Sequence, residues 1–345
     1  MITTLKIVST ILLICILPAF CSVENQLSDQ EFINEVYNQI NNTRSFKGLL
    51  PLALEETGRL VANDHANYLV DNNSLSYFNN KNQGPDERYT TYGGTGAIIE
   101  IINGFKKEKE DVEIILTKQL AKQLVEALTL SEDDSKVLFS LHINFFAFGF
   151  LRSKDNKLFV GVCEFITKGG DFKPLNPGLN FGEKLSVSGK VNLPYKFKAV
   201  SIAYYDMDYI DNDSDSINTE NLKPYFPPQD YIAFGDNSKR KLINILKGIG
   251  FIGAIGGAPF TGGATSLLAP IFLHSIQAGP PREIPLKSGI KANSKGDFSG
   301  LIELNYKNMP GLYFISILAE QDGVEYPLVI SRRTVKVNPV IQGKV

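Results

Sequence analysis

The chain contains few of the side chains that usually carry nucleophilic catalysis. Its 345 residues include three histidines and three cysteines. A serine–histidine–aspartate or cysteine–histidine arrangement needs an imidazole beside a hydroxyl or thiol nucleophile. With three histidines, His65, His142 and His274, and a single cysteine beyond residue 21, either arrangement has few residues to draw on. This scarcity argues against enzymes of those two classes.

Excess charge of either sign is also missing. The chain has 35 lysine and arginine residues against 37 aspartate and glutamate residues, a formal net charge of −2. Electrostatic binding to nucleic acid or to an anionic surface relies on a strongly basic chain or patch. The nearly balanced charge therefore gives no support for nucleic acid as a partner.

The apolar run at the amino terminus is too short to cross a membrane. A spanning helix needs roughly 20 apolar residues, whereas Ile7–Leu17 is followed by the small-x-small sequence that ends at Cys21. This order predicts a secretory signal peptide over residues 1–21 and hence a secreted, extracellular protein. Retention in a periplasm and a lipid anchor at Cys21 are the alternatives. Phe20 argues against the anchor, because lipoprotein signals place a small residue before the cysteine.

Cysteine is too scarce for a disulfide framework. Removal of the signal peptide takes away Cys15 and Cys21, which leaves Cys163 alone. The mature chain then has no partner for an intrachain disulfide. We expect it to be stabilised by its hydrophobic core.

The first half of the chain predicts helices that pack on a small sheet, an α+β sandwich. Ser28 and Glu31 fit a capping box, and apolar residues from Phe32 to Ile40 recur at helical spacing. The predicted helices cover residues 27–45, 53–71 and 112–130, and the predicted strands cover 145–151 and 157–165, joined by a turn at 153–156.

Two separated stretches resemble the CAP domain, also called the SCP domain, of cysteine-rich secretory, antigen 5 and pathogenesis-related 1 proteins. The first contains Asn41–Arg44, Gly48–Leu52 and Ala62–Leu69, and the second contains Phe148–Phe150 followed by Leu158–Phe165. The resemblance covers about residues 28–168. It implies a CAP-type α-β-α sandwich with a central cavity, here without the disulfides of many secreted members.

The resemblance also identifies a degenerate cavity motif. In many members two histidines and one or two glutamates hold a divalent metal there. The matching positions place Tyr77 and Asp134 where the histidines stand, and Glu100 where an acid stands. Three oxygen donors suit zinc poorly, so we expect no metal and no other cofactor. Tyr77, Glu100 and Asp134 are the candidate ligand-binding residues, and His65 is expected to be structural.

The second half predicts strands over residues 184–191, 198–205, 298–304, 311–320 and 325–337. A linker is expected over residues 169–182, and a domain over 183–340 that resembles an antiparallel immunoglobulin-like β-sandwich. An apolar, glycine-rich insert at 248–281 interrupts it. Three readings stay open for the insert: a helical hairpin packed on either domain, a membrane-contacting or self-associating element, and a disordered loop.

These features favour a secreted, non-enzymatic protein that binds an extracellular protein or a small apolar ligand such as a lipid. One alternative is a peptidase-like hydrolase that uses Glu100 and Asp134 around a cation or water. Another is membrane association through residues 248–281.

Overall fold

The computed structural model describes most of the two predicted domains. The predicted signal peptide and most of the insert at 248–281 lie outside the described residues. These are 25–107, 113–205, 225, 227, 232–235, 243–245, 268–273, 282–284, 286–324 and 327–339.

The described chain is a mixed α+β protein with several sheets. The helices are α1 (Asp29–Ser45), α2 (Glu56–Asp71), α3 (Pro85–Thr91), α4 (Lys118–Leu130) and α5 (Glu132–Leu138). The strands up to residue 205 are β1 (Ala53–Leu54), β2 (Ala97–Lys107), β3 (Phe145–Arg152), β4 (Leu158–Thr167), β5 (Gly170–Phe172), β6 (Gly178–Asn180), β7 (Lys184–Val191) and β8 (Tyr195–Tyr205). The later strands are β9 (Ile232–Gly235), β10 (Ile243–Ile245), β11 (Leu268–Leu273), β12 (Arg282–Ile284), β13 (Leu286–Ser288), β14 (Ile290–Ala292), β15 (Asp297–Glu303), β16 (Gly311–Gln321) and β17 (Leu328–Asn338).

The capping box predicted for α1 is confirmed. The Ser28 side chain accepts a hydrogen bond from the Glu31 amide, and the Glu31 carboxylate accepts one from the Ser28 amide at 2.8 Å. Phe32, Val36 and Ile40 are buried on one side of this helix. Local capping and helical spacing thus determine where α1 begins and which face it buries.

The second predicted helix begins three residues later than expected. Ala53 and Leu54 instead pair in parallel with β3 as the short strand β1. The helix starts at Glu56 because Glu55 is its N-cap and its carboxylate accepts a hydrogen bond from the Gly58 amide at 2.5 Å. The predicted third helix begins at Lys118, where Thr117 caps α4.

Strand β4 lies in the middle of the first domain and is buried along its whole length. Side chains at 159, 163 and 165 belong to the core shared with α1, α4 and α5, and those at 160 and 162 face the core shared with α2. This alternation follows the two-residue period of a strand. The sheet order is β1-β3-β4-β2-β11, with helices on both faces.

The segment expected to be a linker contains two short strands. Gly170–Phe172 pairs with β7, and Gly178–Asn180 pairs with β17. Both are edge strands, where glycine and proline are tolerated because one side of the backbone needs no ladder partner. Residues 169–182 therefore contribute to the second domain.

The second domain is formed by two sheets that share one hydrophobic core. The larger has the order β13-β9-β8-β16-β17-β6, and the smaller has the order β14-β15-β7-β5. Val187, Ile302, Ile315 and Val335 meet in the core between them. Strand β7 has the predicted bounds, and the other strands predicted here are found within a few residues of their expected ends.

One piece of the insert is described, and it is a strand. Leu268–Leu273 pairs antiparallel with β2, from Leu268 opposite Lys107 to Leu273 opposite Ile102. The expected helical hairpin is wrong for these six residues. Within the described residues, no helix combines the length and the apolar character needed to cross a membrane.

The two domains contact each other along β17. The Arg332 amide donates to the Gly96 carbonyl at 3.1 Å, and the Thr334 amide donates to the Thr90 hydroxyl at 3.0 Å. A shared apolar cluster lies beside these bonds. It combines Ala62, Ala66, Leu69, Leu75, Tyr77, Ile102, Leu158, Val160 and Val162 of the first domain with Ala203, Tyr225, Leu312 and Phe314 of the second.

Candidate functional site

Two glutamates lie opposite each other in the first-domain sheet. Glu100 of β2 and Glu164 of β4 are partners in the antiparallel register, so their side chains project from the same face. Both are completely buried. This face is the one that α2 and the second domain cover.

Arg88 of α3 supplies the positive charge of the site. Its Nη2 lies 2.5 Å from Oε2 of Glu100, and both side chains are buried. Its Nη1 donates to the carbonyl oxygens of Tyr77 at 2.6 Å and of Gln83 at 2.8 Å. One guanidinium therefore ties the loop before α3 to the central acid of the sheet.

His65 brings a nitrogen donor into the site. Its Nε2 donates to the Ser76 carbonyl at 2.8 Å and lies 3.7 Å from Oε1 of Glu100. Burial, followed by the positive charge of Arg88, lowers the pKa of His65 to about 4, so the ring is neutral at pH 7. The expectation that the site presents only oxygen atoms is wrong, because α2 points this histidine at Glu100.

Tyr77 and Asp134 lie near the glutamates. Burial raises the pKa of Tyr77 well above its ordinary value, and the negative charges of Asp134, Glu100 and Glu164 raise it further. The Tyr77 hydroxyl has no hydrogen-bond partner among the described residues. Asp134 lies at the start of α5, where its amide donates to the Ser131 hydroxyl at 3.3 Å. Asp134, Glu100 and Glu164 are thus close enough to Tyr77 for their charges to act on its hydroxyl.

The two glutamates differ in protonation. Burial, followed by the charge of Glu100, raises the pKa of Glu164 well above its ordinary value. Burial also acts to raise the pKa of Glu100, but Arg88 and His65 outweigh it, so that pKa is lowered. Among the described residues, no side-chain or backbone N–H donates to either oxygen of Glu164. At neutral pH we therefore assign a proton to Glu164, which it shares with the Glu100 carboxylate.

Arg88 and Glu164 were not among the residues predicted for the site. Glu164 carries a visible signal, because it is an acid inside a strand that is otherwise apolar. The sequence around Arg88 gives no comparable signal, because basic residues in a polar loop are normally exposed. Its role depends on a contact with a strand 12 residues further along the chain.

The donor set of this site does not suit a metal ion. In the part of the chain that the structure describes, no group of three or more histidine, cysteine, aspartate or glutamate side chains is arranged to hold one. The Arg88 guanidinium already neutralises Glu100, at the position where a cation would have to bind. The arrangement is a buried hydrogen-bonded ion pair with a neutral acid and a neutral imidazole beside it.

The solved structures that this chain resembles include two with weak likeness. An outer surface protein from Borrelia burgdorferi is 19% identical with a TM-score of 0.33, over 41% of this chain and 97% of that chain. An extracellular protein containing an SCP domain from Bacillus anthracis is 19% identical with a TM-score of 0.31, over 41% of this chain and 44% of that chain. No family model and no curated protein matches. Likenesses of this strength do not assign the chain to a family.

Proposed function

We propose that this chain is a secreted, non-enzymatic binding protein with a CAP-like first domain and an immunoglobulin-like second domain. Its ligand is an extracellular protein or a small apolar molecule. The observation that carries this proposal is the closure of the candidate site. Glu100, His65 and Arg88 are each at most 1% exposed, and they bind one another or the neighbouring backbone.

Burial of the site argues against catalysis on a substrate delivered from solvent. A catalytic acid or base must come within hydrogen-bond reach of the group that it acts on. Glu100 is held by Arg88 instead, and Tyr77 packs with Tyr225 of the second domain, their ring centroids 6.5 Å apart. These buried contacts of Glu100, Arg88 and His65 hold α2, α3 and the loop between them on the sheet, which is a structural role.

The test compares stability with activity in the same variants. We expect Glu100→Gln to lower the free energy of unfolding by about 3–5 kcal/mol, because Arg88 is left buried without a counter-charge. Glu56→Gln is the matched control, since Glu56 pairs with Arg59 on the exposed surface of α2. Its expected loss is below about 1 kcal/mol.

A hydrolase assay decides between binding and catalysis. Ester, peptide and phosphoester probes are added to the wild-type protein and to Glu100→Gln. We expect no turnover by either protein. Turnover by the wild type that Glu100→Gln abolishes, while its unfolding transition is unchanged, would overturn the proposal. Native mass spectrometry after detergent-free purification then separates a retained apolar ligand from a protein partner.

One observation favours a hydrolase as the second candidate. An ionised Glu100 beside a protonated Glu164 is the pairing of acid and base that many hydrolases use, and His65 adds a nitrogen. Glu164, rather than Asp134, is the acid directly opposite Glu100. This candidate requires the second domain to move away from the site, and the same assay tests it.

Membrane association through residues 248–281 stays a prediction. Deletion of residues 248–267 removes most of the insert and keeps β11. Flotation with liposomes then compares the deleted and intact chains. Equal recovery of both in the aqueous fraction would contradict membrane binding through this segment.

A further inference from the structure

The second domain contains a buried positive charge that has no acidic partner in the part of the chain that the structure describes. Arg333 of β17 is 1% exposed. Its strand partner across the sheet is Ile315, and both residues project into the core between the two sheets, as Val335 does. Buried arginines are normally paired with a carboxylate. No ion pair to Arg333 occurs among the described residues.

Among the described residues, one nitrogen of this guanidinium makes a hydrogen bond. Nη1 donates to the Lys173 carbonyl at 2.6 Å, and the guanidinium carbon lies 5.7 Å from the centre of the Phe172 ring. Within the described residues, Nε and Nη2 have no acceptor. These two nitrogens are on the same side of the guanidinium and form the fork that binds an oxyanion in bidentate fashion.

The same strand carries a second buried donor that has no partner among the described residues. Ser331 precedes Arg333 by two residues on β17, so its side chain projects from the same face of the sheet. Ser331 is completely buried, and its hydroxyl has no hydrogen-bond partner among the described residues. Unpaired buried donors are rare in folded proteins and point to a bound group or to water.

The charge of Arg333 persists at neutral pH. Burial lowers the pKa of Arg333 to about 10, which still leaves the guanidinium protonated at pH 7. A buried charge without a partner costs several kcal/mol, and an anion held by hydrogen bonds offsets that cost. The chemistry of the site therefore selects a negatively charged group.

The site lies under a single loop. The segment 173–177 passes from β5, at the edge of the smaller sheet, to β6, at the edge of the larger sheet. Lys173, Pro174, Asn176 and Pro177 are exposed to solvent. The Lys173 carbonyl that accepts from Arg333 belongs to this exposed segment.

We propose that Arg333 and Ser331 form a binding site for a compact oxyanion, a carboxylate or phosphate group. Nε and Nη2 of Arg333 donate to two oxygens of the anion, and the Ser331 hydroxyl donates to one of them. The site is separate from the glutamate pair of the first domain, and it does not depend on the function proposed above.

Nitrogen-15 NMR of the arginine Nε–H groups tests the proposal directly. Inorganic phosphate is titrated into the full chain at constant ionic strength, with chloride as the balancing anion, and the titration is repeated with acetate. We expect one Nε–H signal to shift saturably, and that signal to be missing in Arg333→Lys. The proposal is overturned if no arginine signal shifts with either anion, or if the shifting signal persists in Arg333→Lys.

Thermal unfolding provides a second measurement that does not need the Arg333 variant to fold. We expect phosphate or acetate to raise the Tm of the wild type more than chloride does at equal ionic strength. Ser331→Ala is expected to weaken the anion affinity several-fold. Lys190→Gln, which removes an exposed charge from β7 of the same domain, is expected to leave it unchanged. Equal effects of the three anions, or equal losses in the two variants, would contradict the site.

Discussion

Glu100 and Glu164 are direct partners across β2 and β4, and both are completely buried. Arg88 and His65 surround Glu100, so it is Glu164 that keeps the proton. This difference between two acids of the same type makes stability depend on pH in a direction that can be tested.

We predict that Glu164→Gln makes the protein less sensitive to alkaline pH. The pKa of Glu164 is raised in the folded state, so above about pH 4.5 the folded state holds a proton that the unfolded state has released. Stability is therefore fully present below the ordinary pKa and falls as pH rises, by at most about 1.4 kcal/mol per pH unit. Glutamine resembles the protonated acid and does not titrate. Urea unfolding at pH 5, 7 and 9 measures the difference in stability between the two proteins. Glu303→Gln, which replaces an exposed acid of β15, is the control.

His65 is expected to have an opposite effect at acidic pH. Its pKa is lowered to about 4, so between pH 4 and about 6.5 the unfolded state binds a proton that the folded state does not. Stability then rises with pH in this window, again by at most about 1.4 kcal/mol per unit. His65→Gln should flatten the curve between pH 4 and 6.5. An unchanged slope in this variant would contradict a neutral buried imidazole.

Arg88→Met should be among the most destabilising substitutions in the first domain. It leaves the Glu100 carboxylate buried without its counter-charge and frees two backbone carbonyls. The expected loss is about 3–5 kcal/mol in equilibrium unfolding. Adding Glu100→Gln to this variant should recover part of the loss, because the unpaired charge is then removed. Additive losses in the double variant would argue against a direct pair.

Tyr225→Phe tests the contact between the domains. The Tyr225 hydroxyl donates to Asp86 at 2.9 Å, and Arg332 lies 3.7 Å from the same carboxylate oxygen. Phenylalanine keeps the ring and removes the hydrogen bond, so we expect a loss of about 1–2 kcal/mol. In Asp86→Asn the same tyrosine substitution should cost less. An equal cost in both backgrounds would show that the two side chains do not interact.

Local sequence signals predicted much of the fold. The capping box at Ser28 gave the start of α1 to within two residues, and alternating apolar residues gave β7 and most of β16. The missed strands include β5, β6 and β11, which are short edge strands with glycine or proline and lack that alternation. They also include β2 (Ala97–Lys107), an inner strand of the first-domain sheet. Their formation depends on a partner strand far away in the chain.

The candidate site was predicted only in part, for a similar reason. Family resemblance pointed to Tyr77, Glu100 and Asp134, and the charges of the two acids both act on Tyr77. The partners of Glu100 come from contacts that a linear pattern does not show: a strand register with Glu164 and the approach of α3 with Arg88. The position of His65 depends on the turn of α2 that carries it over the sheet.

The contact between the two domains along β17 has a consequence for truncation of the protein. Cutting the chain after residue 168 would uncover the apolar cluster that Leu312, Phe314 and Tyr225 otherwise shield from water. The isolated amino-terminal domain would then expose this apolar surface to water. We expect it to self-associate, even with every helix intact. The two domains therefore shield each other's apolar surface from water.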